Sequence, residues 1–414
     1  MGLLDAKLNV APGVVPKSRH PTWRRSVNAA SITVLPVAEQ APVRTGAFRF
    51  DLATSADNED LLRFSRNVEM PGAIRFAFDR APDYLGALCV EGRQSGVLVC
   101  REAQTGCLVA VGHSSVKSGF VNGQPASVGY LSGLRLDPSI RNRRILAHGY
   151  ASLHKLRDGR QAQLYLSTIM EDNRPAKAVL LSGRCGLPSY HDFGRFCCMA
   201  VSLKTKRAGS RDAEISVRLA SAADGPAIIE FLNREGRFRQ FFPEYRVEDI
   251  STPGGLLSHL HWEDVFLAFR DSVLVGTVAA WDQRAFRRWR VTGYAPWLQL
   301  LRGPINLVSK LKRIPELPKQ ASPLDYFILS LACVRGYDRF VFKALLEEMI
   351  REKGQRYAFF LAGLHERDPL LPELLSRPHF PLPSRLYVVA WGEDAPAVEK
   401  LDRELVPYLE LGSL

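Results

Sequence analysis

The chain has 414 residues, of which 46% are hydrophobic and 24% charged, with 31 glycines and 26 prolines. These proportions exclude collagen-like, coiled-coil and disordered chains, and the length favours two domains because one hydrophobic core stops growing at roughly 250–300 residues. The formal net charge of +12 fits a nucleic acid, a membrane surface or a polyanionic cofactor as partner and excludes none of them.

The sequence predicts a cytoplasmic protein. No run reaches the roughly 18 uninterrupted apolar residues that a bilayer span needs, and the first residues lack the features of a signal peptide. The cysteines lack C-x-x-C spacing and mostly lie in apolar runs, which is typical of buried thiols in a reducing compartment. The histidines lack ligand spacing such as H-E-x-x-H, so no metal site is expected. The seven cysteines are Cys89, Cys100, Cys107, Cys185, Cys197, Cys198 and Cys333.

The predicted elements begin after a flexible leader at residues 1–45, which is rich in Pro, Ala and Val. A short strand around Phe50 leads to a helix that starts near Asp57, whose apolar residues follow the helical period. Two buried strands over 97–101 and 106–111 form a predicted hairpin.

Three segments of this pattern recur in the same order further along the chain. The pairs are 50–64 with 218–231, 97–111 with 265–280, and 169–176 with 364–369. Any single match could arise by chance, whereas three in the same order indicate an internal duplication.

Each copy combines strands and helices, so the predicted fold class is mixed α/β, with two tandem modules that each hold a twisted mixed sheet flanked by helices. A polar, basic run separates the copies. The predicted boundaries are 46–206 for the first module, 207–213 for the linker, 214–395 for the second module and 396–414 for a C-terminal helix or tail.

The segment after the first hairpin resembles the motif order of a known superfamily. The run L-D-P-S-I-R at 136–141 precedes a helix predicted over 146–157, then a strand over 163–170, then the run N-R-P-A at 173–176. This order resembles the GNAT superfamily, in which a V-x-P-x-x-R strand end leads to a pyrophosphate-binding loop and an N-x-x-A helix follows the next strand. The resemblance implies two tandem GNAT-like modules and acyl-CoA-dependent N-acyltransferase activity.

The resemblance also implies acetyl-CoA or another acyl-CoA as the cofactor, held in the first module. A helix start offers unsatisfied N–H groups and a positive dipole end to phosphate, and arginine side chains add charge-assisted hydrogen bonds. The alternatives are an exposed basic turn for the arginines and a helix N-cap for the asparagine. The residues assigned to the cofactor are Leu134, Leu136, Arg141, Arg143, Arg144 and Asn173.

Two side chains are candidates for acid–base catalysis. Leu180 occupies the position of the family's usual acid, so Tyr190, on the loop predicted beyond the helix, is the replacement candidate. Glu171 follows the carboxyl end of a strand and recurs as Glu366 in the second copy, which favours it as a base. The alternative for Tyr190 is a structural loop residue, and for Glu171 an acid that satisfies the start of the next helix.

The second copy contains a basic, aromatic insertion at 284–320. Nine Lys or Arg residues and one acid, Glu316, lie between 284 and 319, interleaved with Trp289, Tyr294 and Trp297. Three interpretations stay open: a helical excursion packed on the module, a surface for a polyanion such as RNA, a carrier protein or an anionic membrane, and a lid over a substrate pocket.

The predicted function is transfer of an acyl group, with acetyl as the first expectation, from a coenzyme A thioester to an unidentified amine. The alternative is a non-catalytic GNAT-fold protein that recruits a polyanionic partner. The retained arginines and Asn173 favour the enzyme, whereas the missing loop glycines and the absent usual acid favour the binding protein.

Overall fold

The computed structural model describes residues 42–67, 73–140, 144–156, 162, 164–184, 186–204, 214–250, 252–320, 322 and 324–414. We call residues 42–204 the first half of the chain and residues 214–414 the second half. All described residues belong to one compact unit. Among them, no helix is both long enough and apolar enough to cross a membrane. The predicted linker lies outside these residues, and so does the predicted leader except for its last four residues.

The first half follows the predicted order of strands and helices. Its strands are β1 (Val43–Thr45), β2 (Phe48–Leu52), β3 (Ile74–Asp79), β4 (Gln94–Glu102), β5 (Leu108–Val121), β6 (Gln124–Leu136), β7 (Tyr165–Met170) and β8 (Ser189–Ser202). Its helices are α1 (Asn58–Asn67), α2 (Arg144–Leu156) and α3 (Arg174–Leu180). The helix start near Asp57, the hairpin and the strand before the N-R-P-A run are thereby confirmed.

The second half repeats this order. Its strands are β9 (Ser216–Leu219), β10 (Arg239–Gln240), β11 (Val265–Arg270), β12 (Val273–Trp281), β13 (Arg288–Tyr294), β14 (Tyr326–Val334), β15 (Phe359–His365), β16 (His379–Pro381), β17 (Ser384–Ala390) and β18 (Val406–Pro407). Its helices are α4 (Gly225–Gly236), α5 (Pro296–Lys312), α6 (Arg339–Lys353), α7 (Leu371–Leu375) and α8 (Ala395–Glu399).

Both halves start their first helix in the same way. The backbone N–H of Thr54 donates to Asp57 Oδ2 over 2.8 Å, and that of Ser221 donates to Asp224 Oδ2 over 2.8 Å. Each contact belongs to a capping box in a single 3₁₀ turn that runs into α1 or α4 and satisfies N–H groups that the helix leaves unpaired. The two boxes occupy equivalent positions in the repeat, which supports the duplication.

One large mixed sheet runs through both halves. Its strand order among the described residues is β1-β2-β4-β5-β6-β7-β17-β8-β15-β14-β12-β11-β9, and β16 pairs with β8 outside this path. Most neighbours are antiparallel, but β6 with β7 and β14 with β15 are parallel, as expected for strands that are connected through a helix.

The two halves exchange their last long strands. Strand β17 of the second half lies between β7 and β8, and β8 of the first half pairs with β15. Tyr387 and Val389 on β17 accordingly belong to the core of the first half, while Met199 and Val201 on β8 belong to the core of the second. The exchange makes the sheet continuous.

Within the large sheet, each half contributes one parallel strand pair, and this pair separates along its length. Strands β6 and β7 pair only at Gly129 with Tyr165 and at Tyr130 with Leu166, and then diverge. We call this opening the first fork. Strands β14 and β15 pair from Tyr326 to Ile328 and diverge beyond that point; we call this opening the second fork.

The predicted insertion at 284–320 packs against the first half. Strand β13 pairs antiparallel with β3 in a separate two-stranded sheet, and α5 follows it. Val291, Tyr294, Leu298 and Leu317 form a small core beneath these elements. The insertion therefore packs on the body of the protein, as the first interpretation requires, and on the opposite half from its own sheet.

The segment 396–414 differs from the expected helix or tail. It contains only the end of α8, then β18 and a 3₁₀ turn over Leu411–Ser413. Tyr408, Glu410 and Ser413 are almost fully buried. The backbone of this segment completes the interior, because β18 pairs in parallel with β10 and satisfies its hydrogen bonds there.

Candidate functional site

The first fork opens into an apolar cavity of about 450 Å³. Strands β6 and β7 form two walls and helix α2 a third. The cavity is large enough for a drug-sized or lipid-like ligand. Among its lining residues are Phe50, Leu98, Leu131, Ile145, Leu153, Ile169, Met199, Ile328, Leu361 and Phe380. These residues come from both halves, so the strand exchange helps to build the site.

A β-bulge lies at the edge of the first fork. Gly112 on β5 faces both Gly133 and Leu134 on β6, because the register shifts between the pair Val111–Arg135 and the pair His113–Ser132. Gly133 has a φ of +61°, and a Cβ there would lie 2.4 Å from the His113 ring, so only glycine fits. A bulge leaves one extra residue of its strand without a register partner, and here it interrupts the ladder beside the cavity.

The predicted cofactor residues on β6 lie at this bulge. Leu134 lines the cavity. Leu136, two residues further on, is half-buried against the apolar core of the first half and is absent from the cavity wall. The structure therefore brings one of these two positions to the cavity.

The start of α2 faces the same cavity. Ile145, Leu146, Gly149 and Tyr150 of this helix line it. Arg144 is the first residue of α2 and its side chain is exposed. The predicted ligands Arg141 and Arg143 lie outside the described residues.

Asn173 is the N-cap of α3. Its Oδ1 accepts a hydrogen bond from the backbone N–H of Ala176 over 3.2 Å, and it also lines the cavity. The N-cap interpretation is thereby confirmed. Because Asn173 also lines the cavity, it is placed to contact a ligand there as well. Its counterpart Asp368 accepts from the N–H of Leu370 and lies near Arg239 in the interior.

Tyr190 belongs to the cavity wall and not to a surface loop. It lies in β8, where it pairs with Val389 of β17, and its hydroxyl is 2.7 Å from the hydroxyl of Tyr150 on α2. Burial, with the neighbouring Tyr150, raises the pKa of Tyr190 well above its usual range. Both hydroxyls therefore stay protonated at neutral pH. The loop prediction was wrong because the strand exchange supplies a partner strand that no local pattern reveals.

Glu171 is engaged elsewhere. Its Oε1 is 2.7 Å from Arg195 Nε, and its backbone carbonyl accepts from Lys177 Nζ over 2.7 Å. It is not among the residues that line the cavity. The structure thus brings Tyr190, Leu134 and Asn173 together and leaves Glu171 outside the group.

A buried ionic cluster that the sequence analysis missed lies at one end of the cavity. Glu91, which is completely buried, has its Oε1 2.6 Å from Arg80 Nη2 and 3.2 Å from Arg287 Nη2. Burial opposes ionisation of Glu91, but the charges of Arg80 and Arg287 outweigh it and lower its pKa to about 2. Arg80 and Arg287 line the cavity, and the Nε–H of each has no partner among the described residues.

A neutral histidine extends this cluster. His113 Nε2 lies 2.9 Å from the Tyr84 hydroxyl, and Ser132 Oγ donates to Glu91 Oε2 over 2.9 Å. Burial, followed by the charge of Arg80, lowers the pKa of His113 to about 3. His113 is therefore uncharged at neutral pH, and it lines the cavity beside the bulge.

The cluster could not be found from residue spacing. Its members Arg80, Glu91, His113, Ser132 and Arg287 come from five separate segments of the chain. The one sequence feature that pointed towards the cluster was charge, because Arg287 belongs to the basic insertion.

The second fork is filled by the protein itself. Strand β14 carries an equivalent bulge, where Val278 faces both Leu331 and Ala332, and Leu331 has a φ of +51°. The backbone N–H of Leu331 donates to Glu410 Oε2 over 3.0 Å. The same oxygen accepts from the Tyr408 hydroxyl over 3.0 Å. The C-terminal segment thus occupies the bulge that stays open in the first fork.

The insertion contributes a wall of the cavity in the first fork. Trp289 and Val291 on β13 and Leu317 after α5 line it, and the Trp289 ring centroid lies 4.6 Å from that of Phe78. This agrees with the pocket-covering interpretation of the insertion.

Among the described residues, no three His, Cys, Asp or Glu side chains are grouped to hold a metal ion.

No family model and no curated protein matches the sequence. Solved structures do match. Saccharomyces cerevisiae N-myristoyltransferase with bound myristoyl-CoA is 12% identical, with a TM-score of 0.53 over 84% of each chain. A second structure of that enzyme has a TM-score of 0.52 and 12% identity over 88% of this chain and 83% of the other. The chain has the tandem GNAT fold.

A third solved structure supports this assignment. The GCN5-related glucosamine N-acetyltransferase region of a fungal multi-domain GH3 β-N-acetylglucosaminidase is 12% identical, with a TM-score of 0.55 over 84% of this chain and 38% of that one. The predicted fold class and the resemblance to the GNAT superfamily are confirmed at the level of fold. At such identities the likeness concerns the GNAT fold and not the reaction.

Proposed function

We propose that the chain is an acyl-CoA-dependent N-acyltransferase that binds its acyl-CoA in the first fork. The observation that carries this proposal is the opening between β6 and β7, where a bulged strand edge meets an apolar cavity of about 450 Å³. A solved structure with the same fold holds myristoyl-CoA. As part of the proposal we keep the module boundaries 46–206 and 214–395, and a cytoplasmic location inferred from the cysteines.

The cavity favours an acyl chain longer than acetyl. Its walls are largely aliphatic and aromatic, and each buried methylene contributes about 0.8 kcal/mol to binding. An acetyl group would leave most of this volume empty. Acetyl-CoA therefore stays within the proposed cofactor class, with a longer acyl-CoA as the preferred member.

The bulge would polarise the thioester. In acyl transfer the amine nitrogen attacks the carbonyl carbon, the C–S bond breaks, and charge develops first on oxygen and then on sulfur. Backbone N–H groups at Gly133 and Leu134 are the proposed donors to that oxygen, because the bulge interrupts the strand ladder there. The dipole of α2 and Arg144 would attract the coenzyme phosphates, with Arg141 and Arg143 as further candidates.

Tyr190 is the proposed proton donor to the leaving thiolate. Its raised pKa keeps the phenol protonated, and the Tyr150 hydroxyl fixes its position. Glu171 stays our candidate base, and for that role its ion pair with Arg195 would have to open. The Nε–H groups of Arg80 and Arg287, which have no hydrogen-bond partner within the part of the chain that the structure describes, suit a polar or anionic group of the acceptor.

The test is a two-stage assay on the purified chain. Thermal unfolding is first measured with acyl-CoAs of increasing length, because a ligand at a hundred times its Kd stabilises the folded state by about 2.7 kcal/mol. Thioesters that bind are then mixed with amines, and free thiol and N-acylated product are measured. Product that requires both substrates supports the proposal. Folded protein that shows no shift with any thioester would favour the non-catalytic binding protein instead.

A further inference from the structure

Helix α5 presents a continuous apolar stripe to solvent. At about 100° per residue, its exposed apolar side chains lie within an arc of roughly 120°. Six of the fourteen large apolar side chains that are exposed among the described residues lie on this one helix, so the stripe is a concentrated feature of the surface. Contiguous patches of this kind mark interaction sites. The stripe consists of Trp297, Leu300, Leu301, Leu307, Val308 and Leu311.

The opposite face of α5 fixes the stripe in this orientation. Leu298 is buried in the small core below the helix. Asn306 Nδ2 donates to the carbonyl of Leu317 over 2.9 Å, and its Oδ1 accepts from the N–H of the same residue over 2.7 Å. Arg302 Nη1 donates to the carbonyl of Pro318 over 2.9 Å. The helix is therefore docked by its polar and buried face, and the apolar stripe points away from the protein.

Basic side chains border the stripe on both sides. Lys312 follows one edge of the arc and Lys310 the other, and Arg313 ends the helix. All three side chains are exposed, and α5 itself contains no acidic residue, although Lys310 Nζ lies 3.9 Å from Glu316 Oε2 just beyond the helix. Lysine stems can lie along an apolar surface while their ammonium groups reach outwards to anions. The stripe and its borders thus combine apolar contact with attraction to negative charge.

We propose that α5 docks the protein on an anionic lipid surface, with its axis in the plane of the membrane and its apolar stripe in the headgroup–acyl boundary. An apolar face bordered by lysines, with a tryptophan near one end, is the pattern of interfacial helices. RNA would be met by stacking rings and arginines and not by a row of leucines. A second copy would offer no acid on this helix to pair with the lysines.

The position of α5 gives this docking a consequence for the cavity. Residues 315–318, which its inner face holds by the bonds of Asn306 and Arg302, line the cavity of the first fork. Docking would bring this wall close to the lipid surface, so an amphiphilic substrate could pass between bilayer and cavity. The proposal goes beyond acyl transfer and does not depend on it.

The test is sedimentation of the full chain with vesicles of phosphatidylcholine alone and of phosphatidylcholine mixed with phosphatidylserine. We expect binding to the mixed vesicles that is at least about tenfold stronger and weakens with salt. Leu300→Ser with Leu311→Ser should lower binding to the mixed vesicles at least about tenfold. Lys310→Gln with Lys312→Gln should remove most of the preference for phosphatidylserine.

The matched control is Phe340→Ser on α6, where the side chain is 69% exposed, against 81% for Leu300 and 80% for Leu311. Because these side chains are exposed, the substitutions should leave the fold intact. Circular dichroism checks that each variant is folded. The control should bind vesicles like the parent. Absence of binding to mixed vesicles, or equal loss in Phe340→Ser, would overturn the proposal. A dimer in solution that only the double leucine variant dissociates would overturn it too, in favour of a second copy as the occupant.

Discussion

The two forks have the same backbone arrangement, a parallel strand pair with a bulge, and differ in what fills them. In the first, the bulge at Gly133 and Leu134 borders an open cavity. In the second, the bulge N–H of Leu331 is bonded to the buried carboxyl of Glu410. Duplication thus preserved the geometry of the parallel pair, while the C-terminal segment closed one of its two copies.

The difference explains why one chain would hold one ligand site and not two. A separated strand pair exposes backbone groups that must find partners. Where the protein supplies the partner, as with Glu410, the fork becomes part of the core. Where it does not, the fork is available to a ligand that brings its own acceptor.

The largest effect is expected at Glu91, which joins Arg80 of the first half to Arg287 of the second at the end of the open fork. Glu91→Gln leaves two buried arginines without their shared counter-charge and should lower the free energy of unfolding by about 4 kcal/mol at pH 7. Urea unfolding measures it. As a control, Glu230→Gln removes a surface partner of Arg234 and should change stability by less than about 0.5 kcal/mol.

The same residue predicts a pH dependence. The pKa of Glu91 is lowered from 4.5 to about 2 on folding, so its ionised form stabilises the protein above pH 4.5, and this contribution is lost as the pH falls through 2. The parent should therefore lose stability over this range more steeply than Glu91→Gln. If the free energy of unfolding fell equally steeply with decreasing pH in the two proteins, the ion cluster would not join the halves as described.

Opening the closed fork is the second test. Glu410→Ala removes the acceptor of the Leu331 N–H and of the Tyr408 and Tyr245 hydroxyls, and the three buried donors left behind should lower the free energy of unfolding by about 3 kcal/mol. Glu410→Gln keeps an acceptor oxygen and should lose about 1 kcal/mol. If Glu410→Ala gained a second acyl-CoA site without losing stability, the second fork would be a masked ligand site and not part of the core.

Filling the open fork should weaken ligand binding and leave stability intact. A Cβ at Gly149 on α2 would lie 3.6 Å from Phe50 and 3.9 Å from Leu98, both cavity residues, so Gly149→Leu extends into the cavity at an ordinary contact distance. Displacing roughly three methylenes at about 0.8 kcal/mol each should weaken binding of a long acyl-CoA about 50-fold.

The control for this variant is Gly303→Leu. Gly303 also lies inside a helix, α5, and apart from its chain neighbours and the helix's own backbone a Cβ there meets no atom within 4 Å. Gly149→Leu improves helix propensity, so this protein should unfold at or above the parent's temperature. Gly303 precedes Pro304, whose ring disfavours a helical residue with a Cβ at that position, so circular dichroism must first show that Gly303→Leu is folded. Only Gly149→Leu should lose affinity in calorimetric titration. Loss in both, or in neither, would place the acyl group elsewhere.

The smallest effect is expected at Tyr190. Tyr190→Phe breaks its hydrogen bond to Tyr150 and should lower the free energy of unfolding by about 1 kcal/mol, with acyl-CoA affinity unchanged. If Tyr190 donates the proton to the thiolate, kcat falls while KM stays the same. If only KM changed, Tyr190 would contribute to substrate binding and not to proton transfer.

Local features of the fold could be predicted from the sequence, and long-range ones could not. The helix starts at Asp57 and Asp224 follow from capping chemistry, and the repeat indicated two similar halves. The position of Tyr190 in a strand depends on β17, which lies almost two hundred residues further along the chain. The closure of the second fork by Glu410 depends on a single residue near the end of the sequence, which no period or motif distinguishes.

The most direct measurement of the central claim is a calorimetric titration of the parent chain with acyl-CoAs of increasing chain length. The account predicts one site per chain, with affinity that rises with acyl length until the cavity of about 450 Å³ is full. Two equivalent sites, or an affinity that does not change with acyl length, would contradict the assignment of the acyl group to the first fork alone.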